Sequence, residues 1–250
     1  MNADKARLET PRSGGTSAAG FESRRPRRVI ATALALAVLA FAGCATTPAP
    51  VALEPFNLST AKDAVIAYAE TGRYDTEIAA VAREARAWLA DRTARRTPGE
   101  RLAIVFDLDE TLLSNYGHMR EQDFGYVPDV WNDWVAQADA PAIGPVKAVY
   151  DDARRLGLAI FFITGRQEGR DRIGTEENLR REGLGVYDRL ILARNDGTRL
   201  TTAQRKTAAR AAIEAEGYRI IANLGDQTSD LEGGHAERTF KLPNPFYRIP

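Results

Sequence analysis

The chain has 250 residues, enough for one large domain or two small ones with a sizeable core. Its 44% hydrophobic and 27% charged residues are typical of a globular protein, and its 34 basic residues are balanced by 34 acidic ones. This balance argues against binding to a nucleic-acid polymer through a general positive field. One Cys and two His exclude a disulfide framework, a cysteine-based zinc cluster and a His-rich metal site.

The N-terminal region carries a pattern typical of exported proteins. Four arginines within 24–28 stand directly before an apolar run over 29–43. This run is too short for an ordinary membrane-spanning helix and is typical of the core of a signal peptide. Small residues then lead to Cys44, the only Cys of the chain. This pattern resembles a bacterial lipoprotein cleavage site, at which the Cys becomes the lipidated N-terminus.

We therefore predict a lipoprotein-type signal peptide over 1–43, a flexible tether over 44–58 and attachment to a membrane through lipid on Cys44. The predicted location is extracytoplasmic. Ala45 follows the Cys in place of the Asp linked to inner-membrane retention, which favours the outer membrane in a cell that has two membranes. Two alternatives stay open, namely a plain secretory signal with an incidental Cys and a twin-arginine signal at Arg24-Arg25.

The remaining chain alternates between helical and strand patterns. Ser59 opens a first helix, Asp75 can cap a second helix, and Pro98-Gly99 ends the helical region. Four short apolar runs predict buried strands over 102–106, 158–163, 190–192 and 219–224. Helical segments lie between them, over 145–157, 175–182 and 202–216. This alternation predicts an α/β fold with a doubly wound parallel sheet, to which we add a small, mainly helical cap.

Polar residues follow the predicted strands at the edge where such sheets carry their chemistry. They are Asp107 and Asp109 after the first strand, Thr164 and Gly165 after the second, Asp226 and Asp230 after the fourth, and Lys206 at the start of the helix before the fourth strand. Clustered carboxylates repel one another unless a cation neutralises them, and oxygen ligands alone favour Mg²⁺.

These residue types together suit the handling of a phosphoryl group. A carboxylate, a hydroxyl and a lysine around one point neutralise phosphoryl charge from several sides. One carboxylate can attack phosphorus, and a second can protonate the leaving oxygen and then activate water. Each residue also has a structural interpretation, since an Asp can cap a helix, a Thr-Gly pair can form a turn and a Lys can be solvated. Their recurrence at the right end of successive elements favours a site.

The residues belong to motifs that resemble those of the haloacid dehalogenase (HAD) superfamily. The four motifs are Asp107-Leu-Asp109-Glu-Thr, Thr164-Gly-Arg, Lys206 and Gly225-Asp226-Gln-Thr-Ser-Asp230. Further segments are similar to the class B/C acid phosphatase group, over 109–115, 131–135, 140–142, 206–210, 217–220 and 240–245. That group includes bacterial lipoprotein acid phosphatases and plant acid phosphatases related to vegetative storage proteins. The resemblance covers about 56–250.

The resemblance implies a role for each motif residue. Asp107 would be the nucleophile and a Mg²⁺ ligand, and Asp109 the general acid and base, with its backbone carbonyl on the metal. Thr164, Gly165 and Lys206 would bind the phosphoryl oxygens. Asp226 would ligate Mg²⁺, and Asp230 would support the metal and Lys206. The phosphatase domain would cover 59–250.

A modest cap, with elements within 59–98 and 115–144, is expected to choose the substrate. Tyr116, Phe124 or Tyr126 could stack on a nucleobase, whereas one of Trp131 and Trp134 is expected only to pack the cap. His118 could assist a leaving group, but a hydrogen-bonded surface residue is the favoured expectation, and His235 is expected to be a loop residue.

The implied function is that of an extracytoplasmic, Mg²⁺-dependent acid phosphatase of the 5′-nucleotidase type. Its partner would be a small phosphomonoester, foremost a nucleoside 5′-monophosphate. Two alternatives remain, namely a broad phosphatase for sugar or aryl phosphates and a non-catalytic binding or storage lipoprotein on the same fold.

Overall fold

The computed structural model describes residues 55–195, 197 and 199–249. The predicted signal peptide, the predicted lipid attachment at Cys44 and most of the tether lie outside these residues. Within them, no helix combines the length and the apolar character needed to cross a membrane.

Five parallel strands form one sheet in the order β3-β2-β1-β4-β5. The strands are β1 (Arg101–Phe106), β2 (Ala159–Gln167), β3 (Arg189–Ala193), β4 (Tyr218–Gly225) and β5 (Thr239–Lys241). The helices are α1 (Leu58–Glu70), α2 (Arg73–Ala94), α3 (Tyr116–Glu121), α4 (Pro128–Gln137), α5 (Gly144–Arg155), α6 (Glu168–Arg181), α7 (Thr202–Ala215) and α8 (Thr228–Leu231).

The central strand is β1, whose last five residues are apolar and buried. A strand of this composition needs cover on both faces, as parallel sheets provide. Phe106 is in register with Phe162 of β2 and with Leu224 of β4. The three strands therefore finish at a common edge, and the residues that follow them are brought together there.

Helices cover both faces of the sheet. On one face, Leu102 and Phe106 belong to a large core cluster with Leu89 of α2 and Val149 of α5. On the other face, Ile213 of α7 packs with a smaller cluster of strand side chains. This arrangement confirms the predicted doubly wound α/β fold.

The cap region is built differently in its two predicted parts. Within 115–144, α3 and α4 follow the first strand, and α4 packs against α6. The close approach depends on Gly174, because a Cβ there would overlap the carbonyl oxygen of Val135. Within 59–98, α2 packs against α5 and the sheet and forms a layer of the main core, whereas α1 has no buried residue and is joined to the 115–144 region by the ion pair of Lys62 with Asp123.

Several predicted boundaries differ from the structure. The helix predicted to begin at Thr175 begins at Glu168 in the structure. The prediction missed its first turns because they are polar and lack an apolar stripe. The second helix begins at Arg73 after Gly72 in a left-handed conformation, so Asp75 lies in its first turn and does not cap it. Strand β5 was not predicted, since three residues are too few to show a pattern.

Candidate active site

Three carboxylates meet where β1 and β4 end. Asp107 follows β1 directly, and its N–H donates to the carbonyl of Leu224 at 3.0 Å. One oxygen from each of Asp107, Asp226 and Asp230 lies within 4.8 Å of the others, and all three side chains are buried. Burial raises the pKa of Asp107 well above its usual range, and Asp230 and Asp226 raise it further, although Lys206 opposes them.

This carboxylate group fits a divalent metal. Burial and the charge of Asp230 likewise raise the pKa of Asp226, so the group is poorly compensated by protein charges alone. A cation between the carboxylates would remove that cost. Because the donors are all carboxylate oxygens, they suit a hard cation such as Mg²⁺.

Lys206 places a positive charge of the protein next to two of these carboxylates. A capping box formed by Thr201 and Gln204 fixes the start of α7, which places Lys206 in its first turns. The ammonium nitrogen lies 2.5 Å from Asp107 Oδ1 and 2.5 Å from Asp230 Oδ1. Burial lowers the pKa of Lys206, but its two carboxylate partners outweigh burial and the net shift is upward. Lys206 therefore stays charged beside Asp107.

Thr164 and Gly165 lie near the carboxyl end of β2 and line the same cleft as Lys206. The Thr164 hydroxyl oxygen accepts a hydrogen bond from the Arg166 N–H at 3.2 Å, which leaves the hydroxyl hydrogen free to donate. Apart from its two chain neighbours, no described residue has an atom within 4 Å of the place where a Gly165 side chain would be, so the backbone is open to a ligand. The seven residues predicted for catalysis, phosphate binding and metal binding all line one cleft of about 630 Å³: Asp107, Asp109, Thr164, Gly165, Lys206, Asp226 and Asp230.

The Asp109 side chain does not join the other carboxylates. It is held by Arg166, whose Nη2 lies 2.7 Å from Asp109 Oδ1 and whose Nε lies 3.2 Å from both carboxylate oxygens. Asn115 Nδ2 donates to the same Oδ1 at 3.0 Å. Asp109 thus lies outside the group formed by the other three carboxylates but within the same cleft. In this position its carboxylate can serve as an acid and a base.

Sequence reasoning did not assign Arg166 or Asn115 to the site. Both residues are buried and both stand inside the quoted motifs. The signal that the sequence offered is an Arg close behind the apolar run 158–163, since a guanidinium that is buried there requires a carboxylate partner. The identity of that partner, 57 positions away, follows only from the three-dimensional path of the chain.

Glu110 links this region to the C-terminal segment. It is fully buried, adopts a left-handed conformation with φ 55°, and burial raises its pKa to about 8. The Tyr247 hydroxyl donates to Glu110 Oε2 at 2.9 Å, and Asn244 Nδ2 donates to Asp226 Oδ2 at 2.7 Å. The C-terminal segment therefore forms one wall of the site, a contribution that the sequence did not predict.

A second cleft of about 460 Å³ opens beside Asp109 beneath the cap. Phe124 and Tyr126 line it, as does Trp131, whereas Tyr116 lines neither cleft and instead donates its hydroxyl to Glu70. The described aromatic rings thus divide into cleft residues and packing residues. Trp134 belongs to the second group, because its indole N–H donates to Asn115.

The two histidines have different outcomes. His118 was expected to be a hydrogen-bonded surface residue, but its ring stacks on Trp134 with centroids 5.1 Å apart, and burial lowers its pKa. His235 lies in a loop, as expected, with Nδ1 2.6 Å from Glu214 Oε2.

The fold and the grouped carboxylates, lysine and hydroxyl form an arrangement that suits a phosphoryl group, and comparison with known proteins gives the family of the chain. The model of the HAD superfamily, subfamily IIIB (acid phosphatase), matches residues 33–250. The chain therefore belongs to this subfamily.

Individual proteins agree with the assignment. Acid phosphatase 1 of Solanum lycopersicum is 41% identical over 151 residues, which cover 58% of each chain. Vegetative storage protein 1 of Arabidopsis thaliana is 33% identical over 150 residues, which cover 58% of this chain and 55% of that protein. The chain thus matches less than two thirds of the length of these curated relatives.

A solved structure shows the same fold. The class C acid phosphatase from Bacillus anthracis superposes with a TM-score of 0.63 at 22% identity, over 76% of this chain and 84% of that one.

Proposed function

We propose that this protein is a Mg²⁺-dependent acid phosphatase that hydrolyses phosphomonoesters through a phosphorylated Asp107. The observation that carries the proposal is the position of Asp107, which is buried at the strand end, 2.5 Å from Lys206 and in one cleft with Thr164. A buried carboxylate beside phosphate-binding groups suits nucleophilic attack on phosphorus.

The first chemical step belongs to Asp107 and Asp109. A carboxylate oxygen of Asp107 attacks phosphorus, and the bond between phosphorus and the ester oxygen breaks. Asp109 gives its proton to that leaving oxygen, which departs as an alcohol. Lys206 and Thr164 donate hydrogen bonds to the phosphoryl oxygens, whose negative charge they stabilise.

The second step returns the enzyme to its starting state. Asp109, now ionised, takes a proton from water, and the resulting hydroxide oxygen attacks the phosphorus of the Asp107 acyl phosphate. The bond between phosphorus and the Asp107 oxygen breaks, and inorganic phosphate leaves. Asp107, Asp226 and Asp230 would hold Mg²⁺, which when bound offsets the negative charge of these carboxylates and of the phosphoryl group.

We assign nucleoside 5′-monophosphates as the preferred substrates. The cleft beneath the cap adjoins Asp109, where the leaving group must lie, and it is lined by Phe124, Tyr126, Trp131 and Tyr247. Aromatic rings of this kind stack on planar bases. A sugar or aryl phosphatase is the alternative, since a ring-lined cleft also admits a simple aryl group.

The experiment is phosphate release by the purified full chain from a panel of substrates, with Mg²⁺ and with chelator. The panel contains nucleoside 5′-monophosphates, sugar phosphates and an aryl phosphate. We expect chelator-sensitive turnover concentrated on the nucleotides. Equal turnover of all classes would support the broad phosphatase. Folded protein that binds these compounds without turnover would contradict the enzyme and favour a storage or binding role, the function that the name of the Arabidopsis relative gives to that protein.

We further propose that the mature protein is extracytoplasmic and anchored by lipid on Cys44. The proposal is supported by the arginines and apolar run before the single Cys. Cys44→Ser is expected to shift the protein from the membrane fraction to the soluble fraction, and unchanged membrane association would contradict the anchor.

A further inference from the structure

Asn115 stands between the cap and the proposed general acid. Its side chain is fully buried. Its Nδ2 donates to Asp109 Oδ1 at 3.0 Å and to Glu110 Oε2 at 3.1 Å, and its Oδ1 accepts from the Trp134 indole N–H at 2.8 Å. Both hydrogens and the oxygen of the Asn115 amide are therefore engaged in hydrogen bonds, which fix the orientation of the side chain.

The indole of Trp134 fixes which way this amide points. An indole N–H can only donate, so it selects the amide oxygen of Asn115. The amino group is then directed at the two carboxylates. The reversed amide would place its amino group against the indole N–H, a contact between two donors, and its oxygen against the carboxylate that Arg166 pairs with, so both contacts would become repulsive.

Asp109 is in turn held from two sides. Arg166, on β2, donates a hydrogen bond from Nη2 to Asp109 Oδ1. Its Nη1 donates to the Thr175 hydroxyl at 3.2 Å, which fixes the guanidinium. Asn115 contacts the same Oδ1 from the start of the cap. Arg166 holds the carboxylate through three contacts, and the Asn115 amide adds one further donor from a different part of the chain.

We infer that Trp134 and Asn115 are positioning residues for Asp109, and that the cap helix α4 thereby sets the geometry of proton transfer to the leaving group. This inference rests on the proposed function and deepens it. The same helix presents Trp131 to the cleft, and His118, which also lines the cleft, stacks on Trp134. Helix α4 therefore both lines the cleft for the leaving group, through Trp131, and supports Asp109, through Trp134.

If Trp134 and Asn115 position the acid, the effect of removing them on kcat/KM should depend on how much the leaving group needs a proton. A poor leaving group such as phenolate needs the proton of Asp109 as its bond breaks, whereas 4-nitrophenolate leaves readily without a proton. Phenyl phosphate and 4-nitrophenyl phosphate differ little in shape. The ratio of their kcat/KM values therefore reports on proton transfer and is insensitive to the fraction of folded enzyme in a preparation.

The test is Trp134→Phe in the full chain with Mg²⁺, because Phe keeps an aromatic ring and removes the N–H. We expect kcat/KM for phenyl phosphate to fall about tenfold relative to 4-nitrophenyl phosphate, a part of the 10²–10⁴-fold that general acid catalysis supplies. Trp88→Phe is the matched control. It removes a hydrogen bond of 2.8 Å from an indole N–H to the Ile221 carbonyl, away from both clefts, and leaves the ratio unchanged.

A second comparison tests the route through Asn115. In an Asn115→Ala background the ratio is already lowered, and adding Trp134→Phe is expected to lower it no further. A further independent fall would overturn the inference, as would an unchanged ratio in Trp134→Phe or an equal change in Trp88→Phe. If the Asn115 variant does not fold, the Trp134 and Trp88 ratios decide alone. An active wild type with an unchanged ratio overturns only this inference, whereas an inactive wild type overturns the proposed function with it.

Discussion

The Lys206 ammonium nitrogen lies 2.5 Å from Asp107 Oδ1, and both side chains are buried. The pair places a fixed positive charge beside the proposed nucleophile. Burial raises the pKa of the Asp107 carboxyl, and Lys206 is the one cause that acts in the opposite direction. The lysine therefore favours the ionised carboxylate that attack on phosphorus requires.

Asp107→Asn is expected to abolish turnover and to preserve the fold. The amide has the same shape but is a far weaker nucleophile, so phosphate release should fall by about 10³-fold or more, as is usual when a nucleophile is removed. The substitution also removes one of three crowded carboxylate charges, which keeps stability near that of the wild type. Phosphate release and urea unfolding measure the two effects.

The control for this variant is Asp151→Asn, which affects an exposed ion pair with Lys147. It should retain full activity, because exposed pairs contribute little to stability and this one is remote from the cleft. Substantial turnover by the Asp107 variant would refute the covalent mechanism.

Mg²⁺ is expected to raise the thermal stability of the protein, because it relieves the repulsion among the three clustered carboxylates. At a concentration of 100 times Kd the gain is about 2.7 kcal/mol. Asp226→Asn removes one donor and should eliminate most of the shift, whereas Asp151→Asn should keep it. Thermal unfolding with Mg²⁺ and with chelator is the measurement. A shift of equal size in both variants would mean that the metal binds elsewhere.

The sequence was sufficient to predict the residues at the strand ends. Asp107, Thr164 and Asp226 each follow an apolar run, and parallel strands bring their carboxyl ends to one edge. Lys206 was predicted from its place on the helix before β4. The structure places these residues around one cleft, as predicted. The prediction was possible because it depends only on local patterns and on a simple strand topology.

The contacts between side chains could not be predicted in the same way. Tyr247 reaches Glu110 across 137 positions, and Trp134 reaches Asn115 because α3 and α4 fold back on the site. No periodicity records such pairings, since each depends on how loops and short helices are packed. The polar start of α6 was missed for a related reason, because a helix with little apolar surface leaves a weak pattern.

Gly174→Ala is expected to destabilise the protein by about 1–3 kcal/mol, because the added methyl group forces α4 away from α6. Gly169→Ala, on the same helix, is the matched control. Outside its own helix backbone, no described residue has an atom within 4 Å of the added carbon, so the substitution should be neutral or slightly stabilising, since Ala favours helix. Urea unfolding of both variants measures the difference. Equal effects would contradict the close helix crossing.

The ion pair of Glu100 with Arg92 gives a pH dependence of stability away from the active site. Arg92 Nη2 lies 2.5 Å from Glu100 Oε1, and this hydrogen bond lowers the pKa of Glu100 from 4.5 to about 2. Because the folded-state pKa is depressed, the contribution to stability is present above pH 4.5 and is lost as the pH falls toward 2.

Glu100→Gln should therefore unfold at lower urea than the wild type at pH 7, and the two proteins should converge as the pH falls to about 2. Arg92 also contacts Glu237 at 2.7 Å, so the guanidinium stays partnered in the variant and the comparison isolates one carboxylate. Glu121→Gln, at an exposed helix end, removes a carboxylate outside this ion pair and should follow the wild type at every pH. A gap between Glu100→Gln and wild type that stays constant from pH 7 to pH 2 would show that the loss is one of packing and not of charge.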